Sequence, residues 1–266
     1  MNRISFAWIT VVLIGLFAGI SGTAMGWGMQ GHRIVGEIAE KHLTPKAKKN
    51  IRRILGNESI AMCSNWADFI KSNPQYDSLD KSHYINFKAG MTLSEFNRNL
   101  AGDSSQNAYN SIVFLRQALK SGSLPDSLKR DYLKLLIHFV GDVHQPLHTG
   151  RPEDRGGNRV QVSWFDESVN LHQVWDDKLI QYQKLSYTEY VQWINHATPA
   201  QKQLWMKEPV AVWLFESYEL ANHIYNNTPA QAKLKYKYNY DYVEALNNKL
   251  LKAGIRLAGM LNEIFG

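Results

Sequence analysis

The chain has 266 residues, of which 44% are hydrophobic, 20% charged and 12% aromatic, with a mean hydropathy of −0.35. This composition excludes a disordered chain and a polytopic membrane protein, and it suffices for one large domain or two small ones. A single cysteine, Cys63, excludes an intrachain disulfide and a cysteine-built zinc finger, and the formal charge of +6 is a mild pointer to an anionic partner.

Met1–Gly26 has a basic start at Arg3, an apolar run over Ile4–Ile20 and a small, polar end in which Ala24 and Gly26 form an A-x-G arrangement. This is the pattern of a cleavable secretory signal with its junction at Gly26/Trp27. A retained membrane anchor is the alternative, since the apolar run lies near the lower spanning limit. Export implies a periplasmic or secreted protein. In such a compartment an unpaired cysteine is expected to be buried, as Ile60, Ala61, Met62 and Trp66 around Cys63 suggest.

The remainder reads as helices joined by short loops. Gly31–Leu43 carries Ile34, Val35, Ile38 and Ala39 at helical spacing, and Thr44-Pro45 opens a second helix that Gly56 closes. A third helix is predicted over Ser59–Lys71, stopped by Asn73-Pro74. Thr92-Leu-Ser-Glu95 is a capping box. Further helices are predicted over Asn107–Lys120, over Asp126–His144 with a stripe of Leu128, Tyr132, Leu135, Leu136 and Phe139, and over Val169–Gln183. Tyr187–His196, a short helix at Pro199, Pro209–Asn226 and a long final helix from about Tyr240 to Phe265 complete the set. His83–Phe87 and Arg159–Phe165 are short extended candidates. The expected fold class is all-α, a single-domain multi-helix bundle over residues 27–266.

Six of the nine histidines fall in four patterns: Trp27-Gly-Met-Gln-Gly-His32; Asn65-Trp-Ala-Asp68 followed by His83-Tyr-Ile-Asn86; His138-Phe-Val-Gly-Asp142-Val-His-Gln-Pro-Leu-His148; and His172-Gln-Val-Trp-Asp176. His and Asp four residues apart share one helix face and can reach a single ion. His138/Asp142 and His172/Asp176 have this spacing, and a helix bundle can aim such pairs inward to build a multinuclear centre. Imidazole and carboxylate without thiolate suit Zn²⁺, with Mn²⁺ and Fe²⁺ allowed by ligand type. Spacing alone leaves a second reading open, in which each pair is an ordinary ion pair on a helix surface. His144 is expected in an outer or solvent-facing position, His42 on a helix surface, and His196 and His223 in structural roles.

In these motifs the chain resembles the zinc-dependent, single-strand-specific nucleases of the P1 and S1 type, which share a fold with bacterial zinc phospholipase C. The likeness runs from W-G-x-x-G-H at residue 27 through N-W-A-D, H-Y-I-N, H-F-x-G-D, Q-P-L-H, the G-G-N at 156–158 and L-H-x-x-W-D to the closing helix. It implies a cleft holding three Zn²⁺ ions: one on Asp68, His83, His138 and Asp142; one on His148, His172 and Asp176; and one on His32, Asp142 and Trp27, the last through its α-amino nitrogen and carbonyl oxygen. It also implies cleavage of RNA and single-stranded DNA to 5′-nucleotides and removal of phosphate from 3′-nucleotides, with a hydroxide bridging two of the ions as nucleophile. Lys71 stands where the family often has arginine and would face the phosphate. Tyr84 and Asn86, where the family more often has Phe and Asp, would stack on and hydrogen-bond a base. Asn158 and Arg155 would face the same cleft. No obligate protein partner and no stable membrane association of the processed chain are expected. Two other readings are a phospholipase C on the same fold and an exported zinc-binding helical protein without catalysis.

Overall fold

The computed structural model describes residues 27–266, so the expected signal at 1–26 lies outside the described residues. Helix α1 (Met29–Lys41) buries Ile34, Val35, Ile38 and Ala39, the apolar positions whose spacing announced it. Thr44 caps α2 (Pro45–Leu55) by accepting from the Ala47 N–H, with Pro45 in the first turn and Gly56 at the C-cap. The expected third helix is broken into α3 (Ile60–Cys63), α4 (Trp66–Phe69) and a 3-10 turn (Ile70–Ser72). The break has a local cause. The Ser64 hydroxyl donates to the Ala61 carbonyl, competing with the helical ladder between α3 and α4. A longer 3-10 stretch (Pro74–His83) leads to His83–Phe87, which is extended but joins no sheet. Instead, the Ile85 and Phe87 amides donate to the His148 and Gly150 carbonyls.

Thr92 and Glu95 form the complete capping box of α5 (Leu93–Gly102), and Asn107 caps α6 (Ala108–Ser121). Helix α7 (Asp126–Asp142) ends two residues sooner than the sequence suggested. The chain tightens there into successive short turns, His144 N to Gly141 O and Gln145 N to Asp142 O, ahead of Pro146. Leu128, expected in the buried stripe, is 40% exposed.

A small sheet interrupts the helices. β1 (Gln161–Trp164) pairs antiparallel with β2 (Glu167–Asn170), Val162 opposite Val169, and parallel with the two-residue β3 (Lys233–Leu234). Val169 and Asn170 therefore belong to a strand rather than to the helix expected there. That helix starts at α8 (Leu171–Gln173), capped by Asn170, and continues through a π-turn (Val174–Lys178) into α9 (Leu179–Tyr182). Helices α10 (Tyr187–Ile194), α11 (Pro199–Trp205) and α12 (Val210–Asn227) follow, and α13 (Tyr236–Phe265) starts four residues earlier than expected.

Helix α13 is the spine, burying Leu246, Leu250, Ala253, Leu257, Ala258 and Leu261 among its neighbours. It meets α1 at Gly254, where a Cβ would lie 2.5 Å from the Ile38 Cβ and 3.0 Å from the Val35 carbonyl oxygen. Cys63 is buried as expected, its thiol donating to the Ile60 carbonyl, and burial pushes its pKa up to about 12. Among the described residues no helix is long and apolar enough to cross a membrane.

Gly254→Ala tests the α1–α13 contact. Helix propensity alone would add about 1 kcal/mol of stability, whereas overpacking against a backbone carbonyl costs about 1–3 kcal/mol. The clash is expected to win. Urea denaturation should give a lower midpoint with an unchanged slope, and a higher midpoint would show that the helices separate at little cost.

Candidate metal centre

The C-terminal turn of α7 points His138 and Asp142 into the centre of the molecule, where both are fully buried. Asp142 Oδ2 lies 2.9 Å from His83 Nδ1 and 3.2 Å from His138 Nε2, and Oδ1 lies 3.3 Å from His32 Nε2. The His32 ring stacks on that of His138 with centroids 3.9 Å apart. Gly141 makes this possible, because a Cβ there would sit 2.8 Å from His32 Nδ1. His138 Nε2 is also 3.6 Å from Asp68 Oδ1, and the Lys71 ammonium is 2.6 Å from the same oxygen.

A second group follows at the exit of α7. His148 and His172 have ring centroids 5.1 Å apart, and His172 Nε2 is 3.4 Å from Asp176 Oδ2, across the start of the π-turn. Backbone carbonyls fix three of the rings: His138 Nδ1 donates to Ser64, His148 Nδ1 to His83 and His172 Nδ1 to Gly156. A carbonyl can only accept, so each Nδ1 carries a proton and, in the neutral ring, each Nε2 keeps its lone pair, the arrangement typical of metal-ligating imidazoles.

Among the described residues the ligand atoms form three compact groups: His32, His138 and Asp142; Asp68, His83 and His138; and His148, His172 and Asp176. The polar atoms are poorly satisfied. Both ring nitrogens of His32, Asp68 Oδ2 and Asp142 Oδ1 are buried without an aligned hydrogen bond. Burial pushes the Asp176 carboxyl well above its usual range, aided by Asp177 and Asp142 and opposed by a hydrogen bond from Gln145. Burial pushes Asp68 up too, but the His138, Lys71 and His32 charges together outweigh it and hold the carboxyl at about 2. Buried lone pairs facing buried carboxylates are what a cation resolves, so the donor set fits divalent metal ions.

The nine residues expected to bind metal thus divide plainly. His32, Asp68, His83, His138, Asp142, His148, His172 and Asp176 are brought together. Trp27 is fully buried at the foot of α1, and the adjacent Gly28 N–H donates to the Asp176 carbonyl. Tyr84 and Asn86 are half-buried on the segment after His83. Asn158 is half-buried and donates to the carbonyl of the exposed Arg155, in the loop whose Gly156 carbonyl anchors His172.

Four expectations about histidines change. His144 is not solvent-facing: it is buried, with Nδ1 on the Val140 carbonyl and Nε2 facing the Arg256 guanidinium. His42 is half-buried and bonds Asn195, while His196 and His223 are exposed rather than structural. Gln145 was missed: fully buried, it donates to Asp176 Oδ1 at 2.6 Å. Its place between Asp142 and His148 was the signal available.

Comparison with known proteins agrees with this geometry. The S1/P1 nuclease family matches residues 27–266. The chain belongs to that family. It is 29% identical to Endonuclease 3 of Arabidopsis thaliana over 97% of this chain and 95% of that protein. Against Nuclease P1 of Penicillium citrinum it is 28% identical over 90% of this chain and 98% of the relative. Nuclease S1 of Aspergillus oryzae is 31% identical over 58% of this chain and 54% of its own length. The protein is accordingly a mostly helical hydrolase that cleaves phosphodiester bonds in nucleic acid, with three His/Asp groups able to hold metal ions.

Asp142 borders two of the three groups, so its neutralisation should cost more metal than that of any other ligand. By elemental analysis Asp142→Asn is expected to lose more than one ion per chain, and Asp176→Asn no more than one. Full metal retention in Asp142→Asn would remove its shared role.

Proposed function

We propose that the protein is an exported, zinc-dependent endonuclease that hydrolyses RNA and single-stranded DNA to 5′-nucleotides and also dephosphorylates 3′-nucleotides. The observation that carries this reading is the set of three neighbouring His/Asp groups, two of them bordering Asp142, with buried ring nitrogens and carboxylate oxygens left unsatisfied. Asp68, His83, His138 and Asp142 would hold one ion, His148, His172 and Asp176 a second, and His32, Asp142 and Trp27 a third. Zn²⁺ supplies Lewis acidity toward a phosphoryl oxygen and makes water acidic enough to react near neutral pH.

The chain's own groups then set up the displacement. Water adds to phosphorus, the P–O3′ bond breaks, the O3′ leaves with a proton, and the phosphate stays on the 5′ side of the next nucleotide. Lys71, held by its ion pair with Asp68 beside the first group, puts a positive charge where the phosphate gains negative charge. As an ammonium it acts as a point charge rather than a bidentate fork. Tyr84 would stack on a base and Asn86 would bond its edge. A base held this way must be unstacked, which favours single strands. Asn158 and Arg155 lie on the loop that anchors His172 and would contact the phosphate from that side.

Two measurements check this reading. Hydrolysis of single-stranded DNA is expected to exceed that of a duplex of the same sequence by about tenfold or more, and Tyr84→Ala should raise KM with metal content unchanged. Equal rates on both substrates would sink the base-capture role.

The second concerns Trp27. While bonded to Gly26, its nitrogen is an amide whose lone pair is delocalised into the carbonyl, a poor ligand. A free α-amino group, with a pKa of about 7.7–8.0, can lose its proton to a metal ion. Protein starting at Trp27 is therefore expected to bind about one more Zn²⁺ per chain than the same protein carrying one extra residue before it. Equal metal content in the two forms would show that Trp27 is no ligand.

A further inference from the structure

At the opposite end of α7 from the metal-binding groups, the ends of α2, α6 and α13 and the first turns of α7 enclose a surface groove of about 530 Å³. Five cations line it: Lys46, Arg53, Lys120, Lys129 and Arg130, with Asp126 the one acidic side chain among its lining residues. Helix α2 is unusually one-sided in charge, with five basic residues in eleven and no acid. Lys120 is paired with Glu263 and Lys129 with Asp126, but among the described residues no ion pair engages Lys46, Arg53 or Arg130. The groove floor is apolar: Ile54, Leu119, Ile264 and the half-buried Phe265. Holding so many like charges around an apolar concavity opposes folding through mutual repulsion; Arg130 donates to the Ile54 carbonyl, which leaves Lys46 and Arg53 as the cations with no ion pair or side-chain hydrogen bond among the described residues. Cationic walls over an apolar, aromatic floor are what a single strand requires, phosphates outward and base faces against carbon.

We propose that this groove is a second binding site for single-stranded nucleic acid, engaging a distant stretch of the strand whose scissile phosphate lies at the metal-binding groups; this rests on the reading of the protein as a single-strand nuclease. The span is set by α7. Asp126 lines the groove and Asp142 lies in the centre, about 24 Å away at 1.5 Å per residue. That straight line equals about seven stacked nucleotides at 3.4 Å each, and a strand must follow the surface rather than the helix axis, so a dinucleotide cannot reach both sites. The groove thereby favours polymers over the short products, which leave when they no longer span the helix.

The test is the double charge reversal K46E/R53E, at two exposed residues remote from the metal-binding groups. Steady-state kinetics would be measured on a dinucleotide and on a single strand of about 40 nucleotides, at low and high salt. Fluorescence anisotropy of the labelled 40-mer on chelator-treated protein reads binding without turnover. The 40-mer KM is expected to rise about fivefold or more at low salt, and the difference should shrink as salt increases. Dinucleotide kinetics should stay unchanged, and the salt dependence of 40-mer binding should flatten by about 1.4 in log–log slope, two phosphates at 0.7 each. Unchanged 40-mer KM and anisotropy would overturn the proposal, as would an equal loss on both substrates. Should wild-type protein cleave neither substrate while its chelator-treated form binds the 40-mer in a K46E/R53E-sensitive way, the nuclease reading would fall and the groove would stand.

Discussion

The carboxylate of Asp142 is fully buried and faces imidazoles from separate parts of the chain: His32 on α1, His83 at the end of a 3-10 stretch and His138 on its own helix, with His148 3.9 Å away just beyond that helix. An unpaired charge at such a site costs on the order of several kcal/mol, so a carboxylate can persist there only if positive charge meets it on both sides. This one requirement organises the fold. It asks α1 to lie against α7 closely enough for His32 to stack on His138, which Gly141 permits. It asks the chain to stop being helical right after Asp142, so that His148 can come round to the other side. The short turns before Pro146 do that.

The orientation of three of the imidazoles is handled by backbone carbonyls. Ser64, His83 and Gly156 lend carbonyls to three imidazoles, and each carbonyl lies where the local structure is irregular. Ser64 sits in the break between α3 and α4, His83 at the end of a 3-10 stretch, and Gly156 in a loop at φ +64°. In a regular helix those carbonyls would be consumed by the ladder. These three irregular positions therefore have a shared consequence: each leaves a carbonyl free to fix a ring. Gln145 performs the corresponding service for Asp176, holding one oxygen and leaving the other toward His172.

This also explains what the sequence disclosed and what it withheld. Helices with strong caps and periodic apolar faces, such as α2 and α6, were legible almost to the residue, because local chemistry decides them, whereas α1, which has no side-chain cap, begins and ends two residues earlier than expected. The His-x-x-x-Asp pairs were legible as pairs for the same reason. The broken third helix and the strand at Val169–Asn170 were not, since apolar periodicity reports neither the Ser64 hydroxyl that bonds Ala61 nor the hairpin pairing of Val169 with Val162. His144 misled because its neighbour is Arg256, more than a hundred residues away, and no local pattern announces that contact. The roles of individual ligands came from the family motifs rather than from spacing, which by itself left surface ion pairs as a full alternative.

The molecule contains a second buried charged network that serves as a contrast. Arg256 is fully buried on α13, its guanidinium bonded to Glu208, Glu216 and His144, while Lys252 and Lys249 approach Glu216 from the side. Burial pushes the Glu216 carboxyl up, yet the adjoining Arg256 and lysines outweigh it and hold it at about 2. Every arm of this network closes on a partner. It abuts the far side of the same turn, because His144 takes the Val140 carbonyl and the Ser217 hydroxyl takes that of Val143. Two charged clusters thus flank the end of α7, the Arg256 network reaching toward the surface through Glu208 and Glu216. One is internally satisfied and holds the turn in place; the other, around Asp142, leaves ring nitrogens and carboxylate oxygens unspent. Burial alone does not distinguish scaffold from site here. The difference lies in whether the polar atoms are already used, and among the described residues the unused ones of His32, Asp68 and Asp142 gather at the end of α7.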